Sequence, residues 1–152
     1  MKIEIFSNIT IAYMRRFGAY GPKNKELMET FKAYLKTHDL LNEETVILGL
    51  ALDDPQVTPV SALRYDVGLI LKDSKIDGLE VRNIADGQYA IFEIPHTEKD
   101  MQLFWANIWQ TTEALSIDRE RPIIERYAAH KINHHLCEMC IPIIALDECQ
   151  KM

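Results

Sequence analysis

Residues 123–144, IIERYAAHKINHHLCEMCIPII, place Glu125 beside Tyr127 and then crowd His130, His134, His135, Cys137, Glu138 and Cys140 into a short span. Three chemistries use such residues: a carboxylate that neutralises or deprotonates a guest, a metal held by nitrogen and sulfur, or a polar hairpin with no chemistry of its own. In an extended segment side chains alternate, so Ile123, Glu125 and Tyr127 share one face and Ile124, Arg126 and Ala128 the other. Glu125 is thereby flanked by apolar or aromatic neighbours. If that face lines a cleft, the carboxylate is partly desolvated and needs compensation, which a lipophilic cation supplies. The bland alternative is an exposed strand glutamate paired with Lys or Arg across a sheet. The metal reading fails on spacing. A separation of three residues on a strand points Cys137 and Cys140 to opposite faces about 10 Å apart, and there is no second CxxC. The expectation is no metal and a solvated, histidine-rich hairpin.

Elements must position these residues. In NKELMETFKAYLKTH, Leu27, Met28, Phe31, Tyr34 and Leu35 form one stripe at helical spacing after a Gly21-Pro22 entry. In TEKDMQLFWANIWQTTEAL the stripe is Met101, Phe104, Trp105, Ile108 and Trp109, and Thr97 with Asp100 resembles a capping box that starts the helix. Trp109 reads as core and Trp105 as a candidate for the cleft. Seven short segments rich in β-branched and aromatic residues read as strands: ITIAYMRRF, TVILGLAL, RYDVGLIL, LEVRNI, QYAIFEI, PIIERYA and EMCIPII. Turn signals such as Asp53-Asp54-Pro55, Asp77-Gly78 and Asp86-Gly87 separate them. The order strand, helix, strand, strand occurs over about 9–71 and again over about 88–144, an offset of about 75 residues. The fold class expected is α+β: duplicated βαββ modules sharing an antiparallel sheet, both helices on one face, and a central cleft along the seam.

At 152 residues with 47% apolar content, the chain makes one domain spanning 1–152. Its net charge of −6 argues against nucleic acid as a direct partner or an anionic membrane surface. The start, MKIEIFSNIT, is broken by Glu4, Ser7 and Asn8 before a signal-peptide core can form, so a cytoplasmic location is expected. Cys137, Cys140 and Cys149 are an odd number at one end, which suits reduced thiols rather than a disulfide framework. DGLEVRNIADG lacks the strand and helix context of a phosphate cradle, and no cofactor is expected. Asp53 and Asp54 read as turn formers, and Asp66 as a residue that orders its strand. Tyr13, Tyr65, Tyr89, Trp105, Trp109 and Tyr127 offer faces for a flat or cationic ligand, each cation-π contact contributing about 0.5–2 kcal/mol.

Taken in order, IAYMRRFGAYG, ALDDPQVTPVSALRYDVGLIL, ADGQYAIFEIPHT, FWANIW, IIERYA and CEMCIPI resemble the GyrI-like small-molecule-binding superfamily, which includes DNA gyrase inhibitor proteins and the effector-binding domains of multidrug regulators. The resemblance runs through nearly the whole chain and implies the duplicated βαββ fold. It further implies a central cleft for hydrophobic, often cationic or aromatic compounds, with an acid inside. The glutamate of the ERY segment carries over to Glu125, and the acid opening the final strand to Glu138. Because the module begins near Met1, the chain resembles the stand-alone members rather than those with a preceding DNA-binding domain. The first function implied is reversible capture of a small hydrophobic or cationic ligand by Glu125, Tyr127, Glu138, Tyr13, Tyr65, Tyr89 and Trp105. A second is hydrolysis of strained, cyclopropane-type electrophiles, with Glu125 acting on water and Tyr127 or another cleft tyrosine polarising the electrophile. The family name adds a third, interaction with DNA gyrase or a partner regulator. The ligand and the oligomeric state stay open.

Overall fold

Pro22 can open helix α1, Pro22–Thr37, because the first helical residue needs no N–H partner, and the helix buries Met28, Phe31 and Leu35. A computed structural model describes residues 1–72 and 78–144 of the chain. Asp77 and Cys149 lie outside these. The helix expected from Thr97 begins there: the Thr97 hydroxyl accepts from the Asp100 backbone N–H at 3.0 Å and caps α2, Glu98–Ala106. It does not run on to Leu115. Asn107 adopts φ −109° and ψ 12°, its side-chain amide donating to the Leu103 carbonyl at 2.9 Å, and a single turn α3, Ile108–Thr111, follows. The kink corrects the expectation for Trp109. It is not core but 52% exposed, with the Arg119 guanidinium 4.4 Å above its ring.

Among the described residues eight antiparallel strands form one sheet: β1 Lys2–Phe6, β2 Thr10–Phe17, β3 Val46–Ala51, β4 Arg64–Ile70, β5 Glu80–Asn83, β6 Gly87–Pro95, β7 Ile123–Ala128 and β8 Leu136–Ile143. Their spatial order is β1-β6-β8-β7-β3-β4-β2-β5. The repeat is plain in it, since β2-α1-β3-β4 and β6-α2-β7-β8 each form half the sheet and meet at the β3–β7 pair. An added strand lies at each edge. β1 precedes the first module in sequence yet pairs with β6 of the second, while β5 precedes the second yet pairs with β2 of the first.

Strand register divides the side chains between two faces. One carries Ile47, Val67 and Leu69 under α1, and Ala90, Met139 and Ile141 under Phe104 of α2 and Ile108 of α3, so both modules' helices cover the same side. The other face is curled inward. Phe6 from one edge and Ile11 from the far side of the sheet join one cluster with Leu48, Leu50, Tyr89, Ile91, Ile124 and Cys140. Among the described residues no helix is long and apolar enough to cross a membrane.

Candidate functional site

The seam strands β3 and β7 pair Ile47 with Tyr127, Gly49 with Glu125 and Ala51 with Ile123, and β4 sets Tyr65 opposite Ala51. Antiparallel partners point the same way, so Tyr65, Glu125 and Tyr127 all rise on the helix side. α1 packs on β2 and β4, and α2 packs on β6. The seam between them holds the carboxylate.

Glu125 is only 9% exposed. The Tyr65 hydroxyl donates to its Oε1 at 2.6 Å, and the side chains of Tyr127 and Trp105 lie near enough to favour the charged carboxylate. Burial pushes the Glu125 carboxyl above its ordinary value, opposed by these three side chains, which favour the charged form. Burial, with the charge of Glu125 next, holds the Tyr65 and Tyr127 hydroxyls well above their usual range, so they remain protonated donors. A hydrophobic strand face thus surrounds one acid with neutral groups.

The site extends past the residues the sequence suggested. The His96 ring tilts against Tyr127 at 5.4 Å, and the His96 backbone N–H donates to the His135 carbonyl at 2.7 Å. Burial, then the charges of Lys32 and His135, lowers the pKa of His96. Cys137 is buried on the helix side with its Sγ 3.5 Å from Met101 Sδ. Burial, with the charges of Glu125 and Glu138 adding to it, pushes its thiol up to about 12. The alternation of β8 was the available signal for Cys137. None existed for His96, which lies in the turn between a strand and a helix cap.

Three of the expected ligand residues lie elsewhere. Glu138 pairs in register with Arg126, one step from the Glu125–Met139 pair, and therefore faces the opposite side of the sheet. There the Arg126 Nε donates to it at 2.9 Å, while both terminal nitrogens of Arg126 bind Glu4 at 2.8 and 3.0 Å. Tyr89, also on the inner face, is fully buried against Phe6, ring centroids 4.2 Å apart, with the Arg121 guanidinium 4.9 Å from its ring. Tyr13 has the guanidinium groups of Arg15 and Arg82 within 5.5 and 5.1 Å of its ring and donates to Glu80. The sheet itself separates these residues from Glu125. Only Glu125, Tyr127, Tyr65 and Trp105 come together.

Asp66 ties strands together as expected: fully buried, it accepts paired bonds from Arg15 and from Arg82. The histidine segment makes a one-turn helix α4, Ala129–Ile132, and a turn, with His130, His134 and His135 exposed. Cys137 and Cys140 point to opposite faces of β8, the first toward Met101 and the second into the inner cluster. Concavities beside Arg121 and beside Trp109 do not reach Glu125.

Known proteins match this arrangement. The SPbeta prophage-derived protein YosT of Bacillus subtilis (strain 168), a candidate transcriptional regulator by name, is 41% identical over 145 residues, covering 93% of this chain and 97% of YosT. Among solved structures, SAV2435 bound to tetraphenylphosphonium superposes with a TM-score of 0.66 at 15% identity, covering 95% of this chain and 93% of that one. The C-terminal domain of EcmrR gives the same TM-score at 10% identity, covering 95% and 97%. These two structures share the fold. A GyrI-like small-molecule-binding domain matches residues 1–144, and with the YosT identity this makes the chain a member of the GyrI-like family.

Proposed function

We propose that the chain captures hydrophobic, aromatic or cationic small molecules at the β3–β7 seam, with Glu125 compensating the charge and Tyr65, Tyr127 and Trp105 supplying aromatic faces. One contrast carries this reading. Of the three buried acids among the described residues, Asp66 and Glu138 each hold an arginine, whereas Glu125 has only neutral partners. A desolvated carboxylate without a cation is destabilising until a cation arrives. Trp105 and Tyr127 are only partly buried, and their displacement from above Glu125 admits the guest. The tetraphenylphosphonium bound to the structural neighbour is a cation of the same description and serves as the probe.

The test is a tryptophan-fluorescence titration with tetraphenylphosphonium on wild type and on Glu125→Gln. Saturable binding is expected in the wild type. Losing the charge partner of a desolvated cation costs on the order of 3–5 kcal/mol, enough to remove a micromolar signal in the variant. Equal affinity in both proteins, or no binding to either, rules the reading out.

The Tyr65–Glu125 hydrogen bond favours a second reading, hydrolysis of a strained cyclopropane-type electrophile. Glu125 would take a proton from water as the water oxygen bonds to the ring carbon, and the cleaved bond's electron pair would be protonated by a tyrosine hydroxyl. Product formation that Glu125→Gln abolishes separates this from reversible capture.

A further inference from the structure

Gly49 stands in the interior of β3, where a glycine lacks packing and is unfavourable unless something approaches the backbone closely. It is paired on both sides, with Val67 of β4 and Glu125 of β7, within regular strand. Space is what it provides. A methyl group built on its Cα would overlap the Tyr65 hydroxyl and stand 2.8 Å from Glu125 Oε1 and 3.2 Å from Tyr65 Cζ. The hydrogen-bonded pair at the centre of the candidate site therefore rests directly on the bare backbone of the seam strand. Neither partner can retreat freely. The Tyr65 ring is buried in one cluster with Phe31, Leu35 and Val67, edge-on to Tyr20 at 6.3 Å, and Glu125 is buried with it.

We propose that Gly49 is a positioning residue: its missing side chain makes the space in which the Tyr65 hydroxyl meets Glu125, and so fixes where the carboxylate points. Its consequence for ligand binding rests on the capture reading, but its effect on Glu125 does not. The position is adapted to one hydroxyl rather than to glycine in general. Gly68, inside β4, supplies the comparison, because a methyl there would crowd Ile11 Cδ1 at 2.7 Å on the apolar inner face, away from Glu125.

The experiment compares Gly49→Ala, Tyr65→Phe, the double variant and Gly68→Ala. It follows the Glu125 carboxyl by carbon-13 NMR across pH and, separately, titrates tetraphenylphosphonium. The Tyr65 hydrogen bond favours the charged carboxylate, so losing it raises the Glu125 midpoint. Gly49→Ala is expected to raise the midpoint as Tyr65→Phe does, the double variant to lie at or above Tyr65→Phe because the methyl still meets the carboxylate, and Gly68→Ala to leave it unchanged. Tetraphenylphosphonium affinity is expected to fall about tenfold in Gly49→Ala. An unshifted midpoint in Gly49→Ala, or an equal shift in Gly68→Ala, overturns the proposal. Should Gly49→Ala fail to fold, rescue by adding Tyr65→Phe and Glu125→Ala, which remove both groups the methyl would overlap, supports it, and a triple variant that also fails overturns it. A wild type that does not bind the cation removes the capture reading while the titration still decides the role of Gly49.

Discussion

At the scale of residues, the sheet sorts three acids by the partner each receives. Alternation within IIERYA placed Glu125 beside Tyr127 correctly, because period two is a property of one strand. That Glu138, Tyr13 and Tyr89 lie on the other face was not readable: which faces of separate strands coincide depends on their mutual register, and no local pattern encodes it. The corrected geometry makes two substitutions behave oppositely. Burial raises the Glu125 carboxyl in the folded protein above its value in the unfolded chain. Folding therefore favours its protonated form, and the stability this gives is complete below the ordinary carboxylate range and lost as pH rises through the folded midpoint. Glu125→Gln escapes that loss. Its melting temperature should match or fall below that of wild type near pH 4 and exceed it near pH 8. A difference that does not change with pH in thermal melts contradicts the buried acid. Glu138→Gln instead deprives Arg126 of one of its two carboxylates, Glu4 remaining, and should cost about 1.5–3 kcal/mol in urea unfolding while leaving tetraphenylphosphonium affinity unchanged. A matching loss of affinity would mean that the site spans both faces.

Among elements, ends were more legible than interruptions. Thr97 was readable as a cap because side chain and backbone satisfy each other locally, whereas the break at Asn107 sits inside a stripe whose periodicity continues through Trp109. Strand β1 was not among the expected strands. It is five residues long and its partner β6 begins about eighty residues later, so its existence depends on a pairing that only the folded sheet supplies. Asp66 shows how a short edge strand is held. Its carboxylate binds Arg15 of β2 and Arg82 of β5, joining the short edge strand to the sheet through a fully buried group. Asp66→Asn leaves two guanidinium groups facing one neutral amide, and a loss of about 3–5 kcal/mol is expected from chemical denaturation. A loss below about 1 kcal/mol would show that backbone pairing alone retains β5.

For the whole molecule, duplication set the outline and strand exchange binds the halves. The repeated order of strand, helix, strand, strand was visible in the sequence, but β1 was not foreseen as a strand and β5 fell between the two repeats; β1 pairs with β6 of the second module and β5 with β2 of the first. Phe6 shows the consequence: it stands on β1, stacks on Tyr89 of β6 and joins the inner cluster with Ile11 and Ile84 from the far edge. Neither module buries its inner face without a strand borrowed from the other. Such halves should not unfold separately, so calorimetry should give one transition with a van't Hoff enthalpy close to the calorimetric one. Phe6→Ala probes the coupling directly. Its cost of about 3–5 kcal/mol, typical of truncating a buried phenylalanine, should lower hydrogen-exchange protection together in β3–β4 and in β7–β8. Protection lost in the second module alone would make the modules independent. The candidate site would then lie between two separately stable bodies. If protection falls in both, Glu125 and Gly49 are held opposite each other by one cooperative sheet, and the seam can keep an unpaired acid buried because unfolding it means unfolding everything.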